Sequence, residues 1–126
     1  MTTIMQTLLG SDTPIEMIER VNENTIARHS IDVTSVTTAY AALTTDQVIL
    51  CDATGGAFTV TLYAVSGNAG RILELAKTDA SGNAVTVDGA GSEKINNATT
   101  QSLASRYSST RILCTGSEWI ILSKNL

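Results

Sequence analysis

Aromatic residues are scarce in this sequence, which holds one Phe, one Trp and three Tyr among 126 residues. A core must therefore be built from Ile, Val, Leu and Ala, and such side chains give thin sheets rather than bulky helical packing. Thr and Ser are common, and β-branched and hydroxyl-bearing residues suit the exposed faces of strands. The composition predicts a mainly β protein with one domain and a short appended segment.

Charge is also sparse. Charged residues make up 16% of the chain, the formal net charge is −4, and the eight basic residues are scattered from Arg20 to Lys124. Nucleic-acid-binding proteins concentrate Lys and Arg on one face, so we expect no nucleic-acid partner. A low charge density leaves little repulsion between copies and favours self-association.

Long apolar runs are missing as well. No window approaches the ~20 apolar residues that cross a bilayer, and the N-terminus lacks the basic region of a secretory signal. We therefore expect that the protein is made in a cytoplasm and does not insert into a membrane.

Groups that carry chemistry are few. His29 is the single histidine, and no nucleophile-elbow pattern offers it a serine partner. Cys51 and Cys114 lie in apolar runs without a CxxC motif, which predicts two buried free thiols and no zinc site, although adjacent strands would allow a disulfide. The carboxylates are isolated, and a glycosidase pair such as Glu74 with Asp88 depends on a spacing that only the fold provides. We predict no catalytic, cofactor-binding or metal-binding residue.

The clearest local signal is the segment Thr13-Pro14-Ile15-Glu16, a capping box with proline at the first helical position. It predicts a helix from Pro14 to about His29, preceded by an apolar arm over residues 1–12. The helix either forms a self-associating seam, in which a polar residue fixes register, or lays a broad apolar face against the body of the domain. The residues predicted to carry this packing are Ile15, Ile18, Val21, Asn22 and Ile26.

The composition changes at Ser30, so we divide the chain into an N-terminal arm and helix (1–30) and a β domain (31–126). About eight or nine short strands at hairpin spacing predict an antiparallel β-sandwich or barrel in the second part. The stretch Gln47–Tyr63 is predicted to be its central hairpin, with Ile49 and Cys51 facing a neighbouring subunit. The predicted core residues are Val48, Leu50, Phe58, Val60, Leu62, Leu73, Leu75, Val85, Val87, Ile112, Trp119 and Ile121.

Several short segments together resemble a β-module that recurs in bacteriophage virion proteins, over about residues 34–124. They are Ala39-Tyr40, VILCD with Gly55-Gly56 and TVTL, Gly70-Arg71, NAVTVDG, GSEKIN and GSEWII. The module is similar to parts of tail fibres, tail spikes, needles and head fibres or decoration proteins. This sequence departs from it at Tyr63, where the family usually has proline, and at Asn96-Asn97, where it usually has Asp-Gly.

The resemblance implies a homotrimer with a non-enzymatic role in the virion, attached through its N-terminal segment to capsid or tail proteins. A fibre or spike tip would bind a host-surface glycan through loops such as Ala64–Gly70 and Gly89–Lys94. A head fibre or decoration protein would bind the capsid, and the start at Met1 without a long shaft favours a small spike or decoration protein. A carbohydrate-binding or polysaccharide-hydrolysing module is the alternative from another class.

Overall fold

The computed structural model describes residues 30–126, so the predicted arm, the predicted helix and the packing residues Ile15, Ile18, Val21, Asn22 and Ile26 lie outside it. The described residues form nine strands and no helix. The strands are β1 (Val33–Val36), β2 (Tyr40–Ala41), β3 (Val48–Cys51), β4 (Phe58–Thr61), β5 (Ile72–Lys77), β6 (Val85–Asp88), β7 (Thr100–Leu103), β8 (Ser109–Cys114) and β9 (Trp119–Asn125). A mainly β body with eight or nine strands is thereby confirmed.

These strands form two mixed sheets. Sheet 1 has the order β1-β3-β5-β8-β9, and sheet 2 has the order β2-β4-β6-β7. β1, β3 and β5 are parallel to one another, as are β2, β4 and β6, whereas β7, β8 and β9 run antiparallel to their neighbours. Over its first six strands the chain alternates between the sheets, so each turn of the chain adds one strand to each sheet.

The prediction of an all-antiparallel arrangement is therefore wrong, and the expected hairpin over Gln47–Tyr63 does not form. Its two strands lie in different sheets, and the connection between them crosses from sheet 1 to sheet 2. Hydrogen bonds continue between successive chain segments just beyond the strand ends. The N–H of Asp52, after β3, donates to the Val36 carbonyl of β1, and the N–H of Thr78, after β5, donates to the Cys51 carbonyl of β3, both at 2.9 Å. This arrangement depends on pairing between residues far apart in the chain, so a local turn pattern does not reveal it.

Side chains from both sheets meet in one hydrophobic core. Eight predicted core residues are buried there, namely Val60, Leu62, Leu73, Leu75, Val85, Val87, Ile112 and Trp119, and Phe58 and Ile121 pack against it partly exposed. The core also holds residues that the pattern did not identify, among them Ala42, Ala53, Val65, Ile95 and Leu103.

The orientation expected for β3 is wrong. Ile49 and Cys51 are fully buried, while Val48 and Leu50 face outward and are only partly buried. Pairing with β5 sets Ile49 opposite the buried Leu75, which directs both side chains into the core. The burial of Ile49 and Cys51 gives no support to their predicted role in assembly.

Both cysteines are free and buried, as predicted. Cys51 pairs with Lys77 at one end of β5, whereas the N–H of Cys114 donates to the Arg71 carbonyl at the other end. Six residues of strand separate these positions, or roughly 20 Å at the usual rise. This distance excludes a disulfide, which needs Cα atoms within about 7 Å.

Candidate functional site

A cleft of about 470 Å³ lies where the parallel strands of sheet 1 begin. Asp32 precedes β1, Gln47 precedes β3 and Arg71 precedes β5, so the shared strand direction places the three side chains at one edge of the sheet. The full lining consists of Asp32, Thr44, Thr45, Asp46, Gln47, Tyr63, Gly70, Arg71 and Ile72.

Asp46 organises one wall of this cleft. Its carboxylate accepts from Thr34 Oγ1 at 2.7 Å, from the Tyr40 hydroxyl at 2.8 Å and from the Leu43 N–H at 2.8 Å. Burial acts to raise the pKa of Asp46, but these hydrogen bonds outweigh it and hold the pKa below its usual value. The hydrogen bond that Tyr40 donates to Asp46, together with burial, raises the pKa of Tyr40. Asp46 is thus a charged, fully engaged group that fixes the connection from β2 to β3 and is unsuited to act as a base.

Arg71 spans the opposite side. Its Nε donates to Asn68 Oδ1 at 3.0 Å, and its Nη1 donates to the Thr44 carbonyl at 3.3 Å. The side chain is exposed and, within residues 30–126, forms no ion pair. It holds the loop before β5 close to the connection before β3 while keeping part of its guanidinium free.

Gln47 and Asp32 form the rim. Gln47 Oε1 accepts from the Asp32 N–H at 2.7 Å, which fixes the amide so that its Nε2 is the remaining donor. The Asp32 carboxylate is exposed and accepts no hydrogen bond from the described residues. The rim therefore offers one amide donor beside one free carboxylate.

Tyr63 lies behind these groups, at the position where the sequence departs from the virion module. Its ring packs edge-on against Trp119 with 5.1 Å between ring centroids. Its hydroxyl is buried and has no hydrogen-bond partner among the described residues. Burial raises the pKa of Tyr63, Cys114 adds to this effect, Arg71 opposes it and Asp46 makes the smallest contribution, which raises the pKa.

A second polar cluster, at the opposite end of β5, is structural. The Lys77 ammonium is fully buried and donates to Asp79 Oδ2 at 2.8 Å, to the Asp79 carbonyl at 3.0 Å and to the Ser81 carbonyl at 2.9 Å. Asp79 Oδ1 accepts from the Ala53 N–H at 2.7 Å, and Oδ2 also accepts from the Ser81 hydroxyl. Every hydrogen of the ammonium is engaged, so Lys77 is no nucleophile.

The carboxylates considered for glycoside hydrolysis do not converge. Glu74 lies on the outer face of sheet 1 and Asp88 on the outer face of sheet 2, so the core separates them. Glu93 Oε1 accepts from the Val65 N–H at 3.1 Å and is engaged in a turn. His29 lies outside the described residues. Glu74, Asp88 and Glu93 therefore form no acid pair for this reaction.

Sequence reasoning did not identify Asp32, Gln47 and Arg71 as neighbours. The receptor loop predicted at Ala64–Gly70 contributes Gly70 to the cleft, while the loop predicted at Gly89–Lys94 contributes nothing to it. The one signal available was that each of the three polar residues directly precedes a strand, which becomes informative only when the strands are known to be parallel.

The described residues contain no cluster of three or more His, Cys, Asp or Glu side chains arranged to hold a metal ion. No helix within residues 30–126 is long and apolar enough to span a bilayer. Comparison of the sequence with protein-family models gave no match, and comparison with curated proteins gave none either.

Proposed function

We propose that this chain is a bacteriophage virion structural protein that self-associates as a homotrimer through the outer face of sheet 1. In this proposal its two sheets pack as a β-sandwich, and residues 1–30 form an arm and helix that attach it to capsid or tail proteins. The observation that carries the proposed self-association is the set of apolar side chains on that outer face, and the proposed virion role follows from the sequence resemblance.

The outer face of sheet 1 consists of side chains that alternate with the buried ones on each strand. Val33 pairs with Val48, and Leu113 pairs with Ile120, so apolar side chains lie beside one another on adjacent strands. With Leu50 on β3 and Ile72 on β5 they form two apolar groups, and the outward-facing Glu74 and Arg111 lie between them. Val33 and Ile72 are 56% and 38% exposed. Exposed apolar groups bordered by polar residues are typical of a surface that binds another protein.

Sheet 2 provides the comparison within the same molecule. Its outer face carries mostly threonine and serine, in the rows Thr59, Thr86 and Ser102 and Ala41, Thr61, Asp88 and Thr100. Such side chains are stable in water on a strand. The outer face of sheet 1 also carries serines and the charged Glu74 and Arg111, but only sheet 1 adds several large aliphatic side chains to them. Sheet 1 rather than sheet 2 is therefore the face that gains from being covered.

A second copy of the chain is the occupant that the charges favour. Glu74 and Arg111 lie directly opposite each other on β5 and β8 at the centre of the face, and both are exposed. Within the described residues they form no ion pair. Copies that bring these faces together around a common axis can pair Glu74 of one with Arg111 of another while burying the apolar rows.

The test is the oligomeric state of the full chain, measured by light scattering. We expect a trimer for the wild type, and a monomer with an unchanged circular dichroism spectrum for the double variant Val48→Asp and Leu50→Asp. The matched control is Thr59→Asp with Thr86→Asp on sheet 2, which should stay trimeric. A monomeric wild type, or a sheet 1 variant that still assembles, would contradict the proposal.

A further inference from the structure

The cleft at the start of β1, β3 and β5 is not explained by a purely structural role. Assembly through sheet 1 requires no cleft, yet several of the polar groups lining it have no partner in the part of the chain that the structure describes. We propose that this cleft binds a neutral saccharide of one or two rings. The inference goes beyond the proposed function, since a virion protein can assemble without a ligand.

The groups around the cleft match the hydroxyls of a sugar. Gln47 Oε1 is held by the Asp32 N–H, and Nε2 of the same amide has no acceptor among the described residues. Arg71 uses Nε and Nη1 within the protein, which leaves Nη2 as a donor among the described residues. The exposed Asp32 carboxylate accepts no hydrogen bond within residues 30–126. A carboxylate beside an amide and a guanidinium can engage adjacent hydroxyls as both donors and acceptors.

The charge of the lining distinguishes neutral from acidic ligands. The cleft contains two carboxylates, Asp32 and Asp46, and one guanidinium, Arg71, so it carries one net negative charge. Asp46 cannot take up a proton easily, because three hydrogen bonds stabilise its ionised form. An acidic sugar would meet repulsion there, whereas a neutral one meets only hydrogen-bonding groups.

The back of the cleft supports the same ligand. The Tyr63 hydroxyl is buried with no partner in the described part of the chain, and a buried polar group of this kind calls for one. Tyr63 lines the same cleft as Asp32, Gln47 and Arg71, so a ligand in the cleft would lie beside its side chain.

The size of the cleft limits the ligand. Its volume of about 470 Å³ falls within the range of about 300–1,000 Å³ that is usual for small-molecule sites. It accommodates one or two sugar rings, and a longer glycan would enter it by an end or a branch.

The experiment is a titration of the isotope-labelled full chain, followed by backbone amide shifts. The probes are neutral hexoses, 6-deoxyhexoses and N-acetylhexosamines, compared with glucuronic acid, each up to about 50 mM, well above the ~1 mM Kd that a few hydrogen bonds provide. We expect a neutral sugar to shift the amides of Thr44, Gln47 and Arg71. Trp119, the single tryptophan, reports independently through its fluorescence because it contacts Tyr63.

Two variants test the assignment. Arg71→Gln and Gln47→Glu should each weaken binding at least about tenfold, the second while keeping the acceptor for the Asp32 N–H. Arg106→Gln is the matched control, because Arg106 is exposed, stacks on Tyr107 and lies outside the cleft. It should bind as the wild type does.

Three results would overturn the proposal: no shift with any neutral sugar, shifts confined to residues outside the cleft, or equal binding of glucuronic acid. Light scattering on the same samples shows separately whether the chain assembles, so a failure of sugar binding can be distinguished from a failure of the proposed assembly. A trimer that binds no sugar refutes the ligand alone, and a monomer that binds one refutes the assembly alone.

Discussion

Replacing Lys77 with Met should destabilise the β domain more than any exposed lysine substitution does. The ammonium is fully buried and donates to the Asp79 carboxylate and to the Asp79 and Ser81 carbonyls. Its removal leaves two buried acceptors and one partly buried acceptor without this donor. Removing one partner of a buried ion pair costs about 3–5 kcal/mol. For a domain of this size the melting temperature should fall by roughly 15–30 °C.

The pH dependence of stability shows whether the charges of Lys77 and Asp79 account for the stability that Lys77→Met removes. Burial acts to raise the pKa of Asp79, but hydrogen bonds from Lys77, Ser81 and the Ala53 N–H outweigh it and hold the pKa well below its usual value. A lowered folded-state pKa gives stability that is present above the unfolded value of about 3.9 and is lost as the pH falls toward the folded value. Lys77→Met removes part of this lowering. The gap in unfolding free energy between the wild type and the variant should therefore be largest near neutral pH and become smaller below about pH 4.

Urea unfolding at matched protein concentrations measures this gap at about pH 7 and about pH 3. Lys124→Met is the control, since Lys124 is exposed on β9 and its loss should change stability by no more than about 0.5 kcal/mol. A Lys77 variant as stable as the Lys124 variant would refute the reasoning. A gap that stays constant down to about pH 3 would show that packing, and not the charge of Asp79, is what Lys77 supplies.

The remaining predictions concern packing and the thiols. Ile49→Ala should cost about 2–5 kcal/mol in urea unfolding, because Ile49 is fully buried; a cost below about 1 kcal/mol would contradict the orientation of β3. Gly89→Ala should destabilise by about 1–3 kcal/mol, because its Cβ would overlap a backbone oxygen of the following turn, whereas Gly82→Ala, which has open space, should fold as the wild type does. Burial raises the pKa of the Cys51 thiol to about 12, so a thiol reagent should label neither cysteine in the folded protein at pH 8 and both in urea; rapid labelling without urea would contradict their burial.

The positions of most strands were predictable from the sequence, although β2 was not predicted as a separate strand and the strand expected over residues 93–97 does not form. The face of a strand was predictable wherever its pattern alternates. Val85 and Val87 flank the more polar Thr86, and the structure buries both valines as expected. The segment VILC gives no such signal, because it is apolar on both faces and a shift of one residue leaves the pattern unchanged. Its orientation depends on the partner strand, and local sequence does not specify that partner.

The path of the chain was not predictable for a related reason. A short polar connection between two apolar runs, such as the one between β3 and β4, suits a hairpin and a crossing between sheets equally well. Pairings such as Val48 with Glu74 and Phe58 with Val85 decide between them, and these residues are more than twenty positions apart in the chain. The cleft was missed for the same reason, since its polar residues converge only when β1, β3 and β5 run in parallel.

β5, rather than the stretch over β3 and β4, is the strand around which the described part of the chain is organised. Leu73 and Leu75 face the core, and Glu74 faces outward at the centre of the apolar surface. Lys77 ends the strand in a cluster where every hydrogen of its ammonium has an acceptor, whereas Arg71, just before the strand, keeps a donor free. A fully engaged cluster stabilises the fold but has nothing left with which to bind a ligand. The end with the free donor is therefore where recognition should occur, and substitutions at Lys77 should change stability while those at Arg71 change binding.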